Sequence, residues 1–339
     1  MHIICVYSNA NQYQSRLRLT REFLHRIHSF TNHVYVVELS YHGELFEVTQ
    51  KHNPFHLQLH SDYILWNKEN LINIAIRTLL PTDWKYVAWI DSDIEFQNPD
   101  WISLTVSELQ KFDVVQMFSC AQDLGPKGDV LKIHRSFAFQ WNNRSKDSDE
   151  HVSDSWHPGY AWACTRHAYD TLGGLFEEGI LGGGDRIMAL CLIQKIHSFE
   201  NKVPPSLFER LLEYQENLQQ NPLSLGHVPQ TISHHFHGYK KNRYYQRRWT
   251  WLQQYDFDPV RMLSRNSSGL CVPTEHFPQG LLDKIKEYFS MRQEDEEEWW
   301  SNNDYYYYFD YHYLSLTLLG CVFLYYYFFD PSRKCFTNI

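Results

Sequence analysis

The sequence has no excess of positive charge. Its 339 residues carry 31 Lys and Arg against 40 Asp and Glu, a formal net charge of -9. A general binder of the nucleic acid backbone needs a basic face, so that class is excluded, whereas one small basic pocket for a single phosphorylated ligand is not. Cysteine is sparse. The seven residues Cys5, Cys120, Cys164, Cys191, Cys271, Cys321 and Cys335 are odd in number and widely spaced. No two have zinc-finger or redox-motif spacing, which indicates reduced thiols in a cytosol-type compartment. Residues 1–7 are apolar and strand-like, without the basic start and long apolar middle of a secretory signal, so the expected location is cytoplasmic. The first strand is not followed by Gly-x-Gly-x-x-Gly, which excludes the Rossmann dinucleotide fingerprint. There is no internal repeat and no hinge-like linker before residue 290.

Hydrophobic residues make up 43% of the chain and charged residues 21%, enough apolar content for a folded core. Buried strands are expected over residues 2–7, 34–37, 86–90, 114–118 and 160–164. Helices are expected over residues 12–30, 66–80, 186–194 and 207–219, where apolar residues recur at helical spacing. Residues 121–155 read as loop. Residues 230–237 read as a strand ending in histidines. The alternation predicts an α/β domain with a mostly parallel central sheet flanked by helices, over residues 1–293. Residues 294–339 form an acidic, then aromatic and hydrophobic tail. Its apolar run, 314–329, is slightly shorter than the ~20 residues of a comfortable membrane span. Membrane anchor and helix packed on the domain are both open readings.

Asp91-Ser92-Asp93 follows the buried strand 86–90. Two carboxylates at a strand end are costly without a counter-charge, and strand ends are where α/β sheets place ligands. A hard divalent cation holding a diphosphate resolves the charge; a solvated turn is the plain alternative. His234-His235-Phe236-His237 can supply an imidazole to the same cation. In a continuous strand His235 and His237 share a face and His234 points away. The basic island Lys240, Lys241, Arg243, Arg247 and Arg248 suits a diphosphate leaving group or a solvated helix face. Gly182-Gly183-Gly184-Asp185 opens a helix, so Asp185 reads as a general base or as a cap. Asn70, Asn73 and Arg77 fall on one helical face, fit to read a nucleoside or simply to face water. Trp141, Trp156 and Trp162 can stack on sugar rings or fill the core.

The order of these motifs carries more than any one of them. Asn67-Lys68-(x4)-Asn73 precedes Asp-x-Asp; then come Pro158-Gly159-Tyr160-Ala161-Trp162, Leu172-Gly173-Gly174, the Gly-Gly-Gly-Asp element and His-x-x-His-Gly. Over residues 2–295 this resembles the GT-A fold nucleotide-sugar glycosyltransferases. In motif order it is similar to the beta-galactosyltransferase and polypeptide GalNAc-transferase groups, and to glycosyltransferase-like proteins of large DNA viruses, phages and bacteria. The resemblance implies Mn2+ (or Mg2+) bound with the donor diphosphate by Asp93 directly and Asp91 in support. It implies His237 completing the metal shell, with His235 and His234 as alternates. Ser8, Asn67, Lys68 and Asn73 would contact the nucleotide, with Lys240 and Arg243 near the diphosphate. Gly183 and Gly184, with Gly159, Trp156 and Trp162, would shape the sugar and acceptor pocket. Asp185 would be the base of an inverting transfer. The galactosyltransferases carry an acidic cluster at that element, whereas here Arg186 follows Asp185, and Ala75 stands where the family often has Gly. The implied activity is transfer of a sugar from a nucleotide-diphosphate donor, UDP-sugar ahead of GDP-sugar, to a glycan, protein or lipid hydroxyl. A nucleotidyltransferase or metal-dependent hydrolase stays open, although residues 8–12 lack the Gly-rich, Lys/Arg-bearing loop of the former. So does a non-catalytic glycan-binding scaffold. No nucleic acid partner is expected, and residues 314–329 are where membrane association would occur.

Overall fold

The computed structural model describes residues 1–144, 156–245 and 247–296. They form one compact unit, Met1–Glu296. The 314–329 run and the tail reading lie outside the described residues. Among those described, no helix is long and apolar enough to cross a membrane.

The chain opens with β1 (His2–Ser8), α1 (Gln14–His28), β2 (Val34–Tyr41), β3 (His56–Ser61), α2 (Lys68–Thr78), β4 (Tyr86–Ile90) and β5 (Ile94–Phe96). It continues with α3 (Trp101–Leu109), β6 (Val114–Gln116), β7 (Cys120–Leu124), β8 (Val130–Arg135), α4 (Phe137–Asn142), β9 (Ala161–Thr165), α5 (Arg166–Leu172), α6 (Gly184–Leu192) and α7 (Pro205–Gln220). It ends with β10 (Leu225–His227), β11 (Thr231–His234), α8 (Arg247–Gln254), α9 (Pro259–Met262), β12 (Leu263–Arg265), β13 (Cys271–Pro273) and α10 (Gln279–Met291).

The central sheet has the order β10-β6-β9-β4-β1-β2-β3. Its neighbours run parallel except β9, which is antiparallel to both β4 and β6. The expected mostly parallel α/β architecture is present. Both faces of the sheet are covered, which is why β1, β2 and β4 read as nearly unbroken apolar runs. Side chains alternate between two cores. Ile3 and Cys5 join Phe23 and Ile27 of α1 and Trp101 of α3 on one face. Ile4 joins Leu71, Ile72 and Ala75 of α2 and Leu190 of α6 on the other.

The 121–155 segment differs from its reading as loop. β7 and β8 pair antiparallel around a turn at 125–129, and α4 follows, capped by the Ser136 hydroxyl accepting from the Phe139 N–H. β8 is an edge strand whose apolar residues Val130 and Ile133 are exposed rather than packed in a core, so it is held by pairing with β7 and its apolar residues do not alternate with polar ones. The second sheet, β5-β11-β7-β8, sits beyond Asp93. β11 stops at His234, which ends the strand alternation before His235 and His237.

Candidate metal and diphosphate site

From β1 the strand order runs one way to β2 and β3 and the other way to β4, so the switch point of the sheet lies between β1 and β4. α1, which follows β1, packs on one face of the sheet and α2, which leads into β4, on the other, and the crevice at the carboxyl ends of these strands is the usual ligand position in such sheets. A cavity of about 120 Å³ occupies it. Ser8 lines it from the end of β1, Asn67 and Lys68 from the start of α2, and Asp91 and Asp93 from the end of β4. His237, Arg243, Phe289 and Arg292 close it from the C-terminal half, and Arg16 of α1 completes the wall.

The two aspartates have separate partners. Lys68 Nζ lies 2.6 Å from Asp91 and 3.2 Å from Asp185, bridging β4 to the first turn of α6. Burial lifts the Asp91 carboxyl to about 6, with Asp93 and Asp185 adding to the rise and Lys68 opposing it. Burial alone would lower the Lys68 ammonium, but Asp185 and Asp91 outweigh it and hold the group above its ordinary value. Asp91, expected to support Asp93 at the metal, pairs with Lys68 and lies outside the group formed by Asp93, His234 and His237.

Asp93 faces imidazoles. His237 Nε2 is 2.8 Å and His234 Nε2 3.8 Å from Asp93 Oδ2. Burial pushes the Asp93 carboxyl up, yet His237, His234 and Arg243 prevail and hold it well below the usual carboxylate range. Burial draws the His234 ring down to about 4, so it is neutral near pH 7. One ligand atom each from Asp93, His234 and His237 falls within 4.8 Å of the others, the only such metal-competent group among the described residues. His235, the first alternate by strand alternation, instead points to Glu95, with its Nε2 at 3.2 Å. The end of β11 at His234 is the reason: the chain turns before His237, and His234 and His237 converge.

Among the described residues, most buried side-chain polar atoms without a hydrogen-bond partner belong to this cavity. They include both amide atoms of Asn67, the Trp66 indole N–H, Asp93 Oδ1 and Arg243 Nε. Native interiors rarely leave such groups unpaired, so their concentration here fits a polar ligand. An Asp oxygen with two imidazole nitrogens suits a transition cation such as Mn2+ better than Mg2+, which favours all-oxygen shells.

Several expected residues lie elsewhere. Asn73 is buried, and its amide donates to the Leu175 carbonyl (2.8 Å) and Glu177 (2.6 Å) while accepting from the Leu175 N–H. The polar stripe of α2 exists, but Glu177 occupies it, with Asn70 and Arg77 also reaching that carboxylate. Lys240 Nζ is 2.6 Å from Asp123, away from the cavity wall. Trp162 is fully buried in β9, its indole N–H donating to the Pro158 carbonyl. Trp156 packs edge-on against Phe137. Gly159 lies beside His157 and Asp185. Gly183 has φ of 94°, and a Cβ there would stand 2.6 Å from the Trp249 ring; one on Gly184 would stand 2.3 Å from Glu69. These two glycines let α6 start against Trp249 and Glu69, which carries Asp185 to Lys68.

Four contributors escape sequence reading. Glu294, read as the start of the acidic tail, is buried between Arg16 (2.8 Å) and Arg292 (2.6 Å), and reaches His237 Nδ1 at 3.3 Å. Burial opposes its ionisation, but Arg16 and Arg292 hold its carboxyl well below the ordinary range. Arg16 lies among the polar residues of the expected 12–30 helix, and Arg292, which directly follows α10, falls in none of the sequence motifs. Asp123, on β7, lies in the stretch that reads as loop.

No family model matches the chain, and no curated protein matches its sequence. Among solved structures, it is similar to a variant of beta-1,4-galactosyltransferase 7 from Drosophila, in complex with manganese, UDP-Gal and xylobiose. That likeness has 10% identity, covers 85% of this chain and 99% of that one, and has a TM-score of 0.38. A structure described as a nucleotide-diphospho-sugar transferase from Desulfovibrio desulfuricans shares 10% identity over 86% of this chain and 99% of its own, with a TM-score of 0.32. One described as a glucose-1-phosphate thymidylyltransferase from Bacillus anthracis, in complex with sucrose, shares 7% identity over 69% and 89%, with a TM-score of 0.34.

Proposed function

We propose that this chain is a metal-dependent glycosyltransferase that moves a sugar from a nucleoside diphosphate sugar to an acceptor hydroxyl. The observation that carries the reading is the cavity at the switch point. It joins Asp93 and His237, with His234 beside them, to Arg16, Arg243 and Arg292, around polar atoms that lack partners. A site of this composition matches a divalent cation bound with a diphosphate, in a protein that is otherwise acidic.

Asp93, His234 and His237 would hold Mn2+, which when bound would neutralise the diphosphate and stabilise it as a leaving group. Arg243 and Arg292 add positive charge where the departing nucleoside diphosphate gains negative charge. Asn67 meets the nucleotide with its free amide. Asp185 is the base that takes the acceptor proton, and Lys68 positions it through their ion pair. In-line attack with Asp185 as base gives inversion at the anomeric carbon. UDP-sugars are the donor class proposed, and a glycan hydroxyl the acceptor.

The test is titration of the full chain with UDP and GDP, each with and without Mn2+, in the native protein and in Asp93→Ala. The expected result is Mn2+-dependent binding of one nucleotide, lost in Asp93→Ala while that variant stays folded. Nucleotide binding that ignores both Mn2+ and the substitution overturns the reading.

A further inference from the structure

Asp123 lies within the second sheet, 6% exposed, and its carboxylate gathers four side chains. His234 Nδ1 is at 3.0 Å, the Tyr160 hydroxyl donates at 2.8 Å and the Lys240 ammonium donates at 2.6 Å; His134 is the fourth. β7 and β11 run parallel with Asp123 directly opposite His234, so the contact is fixed by strand register as well as by side chains.

The chemistry of this contact sets the tautomer of the ring. With Lys240 beside it the Asp123 carboxylate is ionised, and an ionised carboxylate only accepts hydrogen bonds. His234 therefore carries its proton on Nδ1. With Nδ1 turned to Asp123, the ring presents Nε2 to Asp93 Oδ2, 3.8 Å away. The other tautomer would set two acceptors against each other at 3.0 Å and place a proton where a cation must sit.

We infer that Asp123 is the positioning residue of the metal site, fixing the tautomer and orientation of His234 so that Nε2 is available as a ligand. Asp123 touches neither the cation nor the donor. The inference rests on the metal-dependent reading above. Carboxylates in this place raise ligand basicity and hold the ring, and their loss weakens metal binding by about 10–100-fold in comparable sites.

The experiment measures Mn2+ affinity by the loss of the free-Mn2+ electron paramagnetic resonance signal, with no nucleotide present. It uses the full chain, Asp93→Ala, Asp123→Ala and Asp123→Asn, with circular dichroism showing which variants are folded. The expected result is affinity about 10–100-fold weaker in Asp123→Ala, with Asp123→Asn in between. A folded Asp123→Ala with native affinity overturns the inference and leaves the metal site standing. Absence of Mn2+ binding by the native chain, or native affinity in Asp93→Ala, overturns the metal reading and the inference with it. A second measurement needs no Asp123 variant. Long-range proton–nitrogen correlation spectra of the metal-free native chain, with His234 assigned through His234→Gln, should show the proton on Nδ1. A proton on Nε2 overturns the inference.

Discussion

Glu294 Oε2 lies 3.3 Å from Nδ1 of His237, while Nε2 of the same ring lies 2.8 Å from Asp93. The imidazole thus links the floor of the cavity to the last described segment of the chain. Glu294 is also the counter-charge of two arginines, Arg16 and Arg292. Arg292 is buried nearly as fully as Glu294, so neither charge can turn to water.

Glu294→Gln removes the charge and keeps the shape. It leaves Arg16 and Arg292 facing each other without a carboxylate. Breaking a buried pair by removing one partner costs about 3–5 kcal/mol, because the remaining charge stays buried. Urea denaturation of the two proteins at pH 7 measures the difference. A loss below about 1 kcal/mol would mean that the arginines reach solvent or another anion, contrary to this arrangement.

Glu69 gives the pH dependence. It is 5% exposed at the start of α2, under Gly184. Burial lifts its carboxyl from 4.5 to about 7; Lys68 opposes the rise, and Asp185 and Asp91 add to it. The folded state therefore favours the protonated form. Its contribution to stability is complete below the unfolded value of 4.5 and is lost as pH rises toward 7. Glu69→Gln mimics the protonated form at every pH. Thermal midpoints of the two proteins should agree near pH 4 and diverge above pH 5, with the variant the more stable by up to about 3 kcal/mol at pH 8. Parallel curves across that range would show that Glu69 ionises freely in the folded protein.

How far the sequence reveals this site depends on where each residue's signal comes from. Asp91-Ser92-Asp93 stands out because β4 before it is an apolar run and the paired carboxylates end it abruptly. The histidine cluster stands out by composition, but the choice among its members does not. That choice depends on β11 stopping at His234, which is set by pairing with β5 and β7, far away in sequence. Arg16, Asp123 and Glu294 carry no local signal, since each lies where polar residues are ordinary; only tertiary contacts bury Asp123 and Glu294 and bring Arg16 to Glu294. Spacing placed Asn73 correctly on a polar helical face; only the fold shows that Glu177 already fills it.

Asn73 is therefore a structural clamp, and Asn73→Ala should behave as one. The side chain bonds Leu175 through both its N–H and carbonyl, along with Glu177 and the Tyr169 hydroxyl. Truncation leaves those groups buried and unpaired, at about 1–3 kcal/mol for each one that finds no new partner. The expected outcome is a clear fall in the denaturation midpoint with Mn2+-dependent nucleotide affinity unchanged at temperatures where the variant is folded. A variant of native stability that binds nucleotide more weakly would return Asn73 to the binding site.

Asn67 should show the opposite behaviour. It is 4% exposed, makes no side-chain cap for α2, and both its amide atoms lack partners. In the free protein this amide is a net cost, since burying an unpaired polar group is unfavourable by about 1–3 kcal/mol. Asn67→Leu is close in size and removes the polar atoms, so the free protein should become more stable by part of that amount. Nucleoside diphosphate affinity in the presence of Mn2+ should fall by about tenfold or more, the loss of at least one hydrogen bond of about 1.4 kcal/mol. Mn2+ affinity without nucleotide should not change, because Asn67 is not among the three residues that can hold the cation. The pairing of a higher melting temperature with weaker nucleotide binding is the signature of a residue kept for its ligand rather than for the fold. A variant that melts lower and binds as tightly as the native protein would make Asn67 part of the scaffold and would leave the nucleotide to be held by the arginines alone.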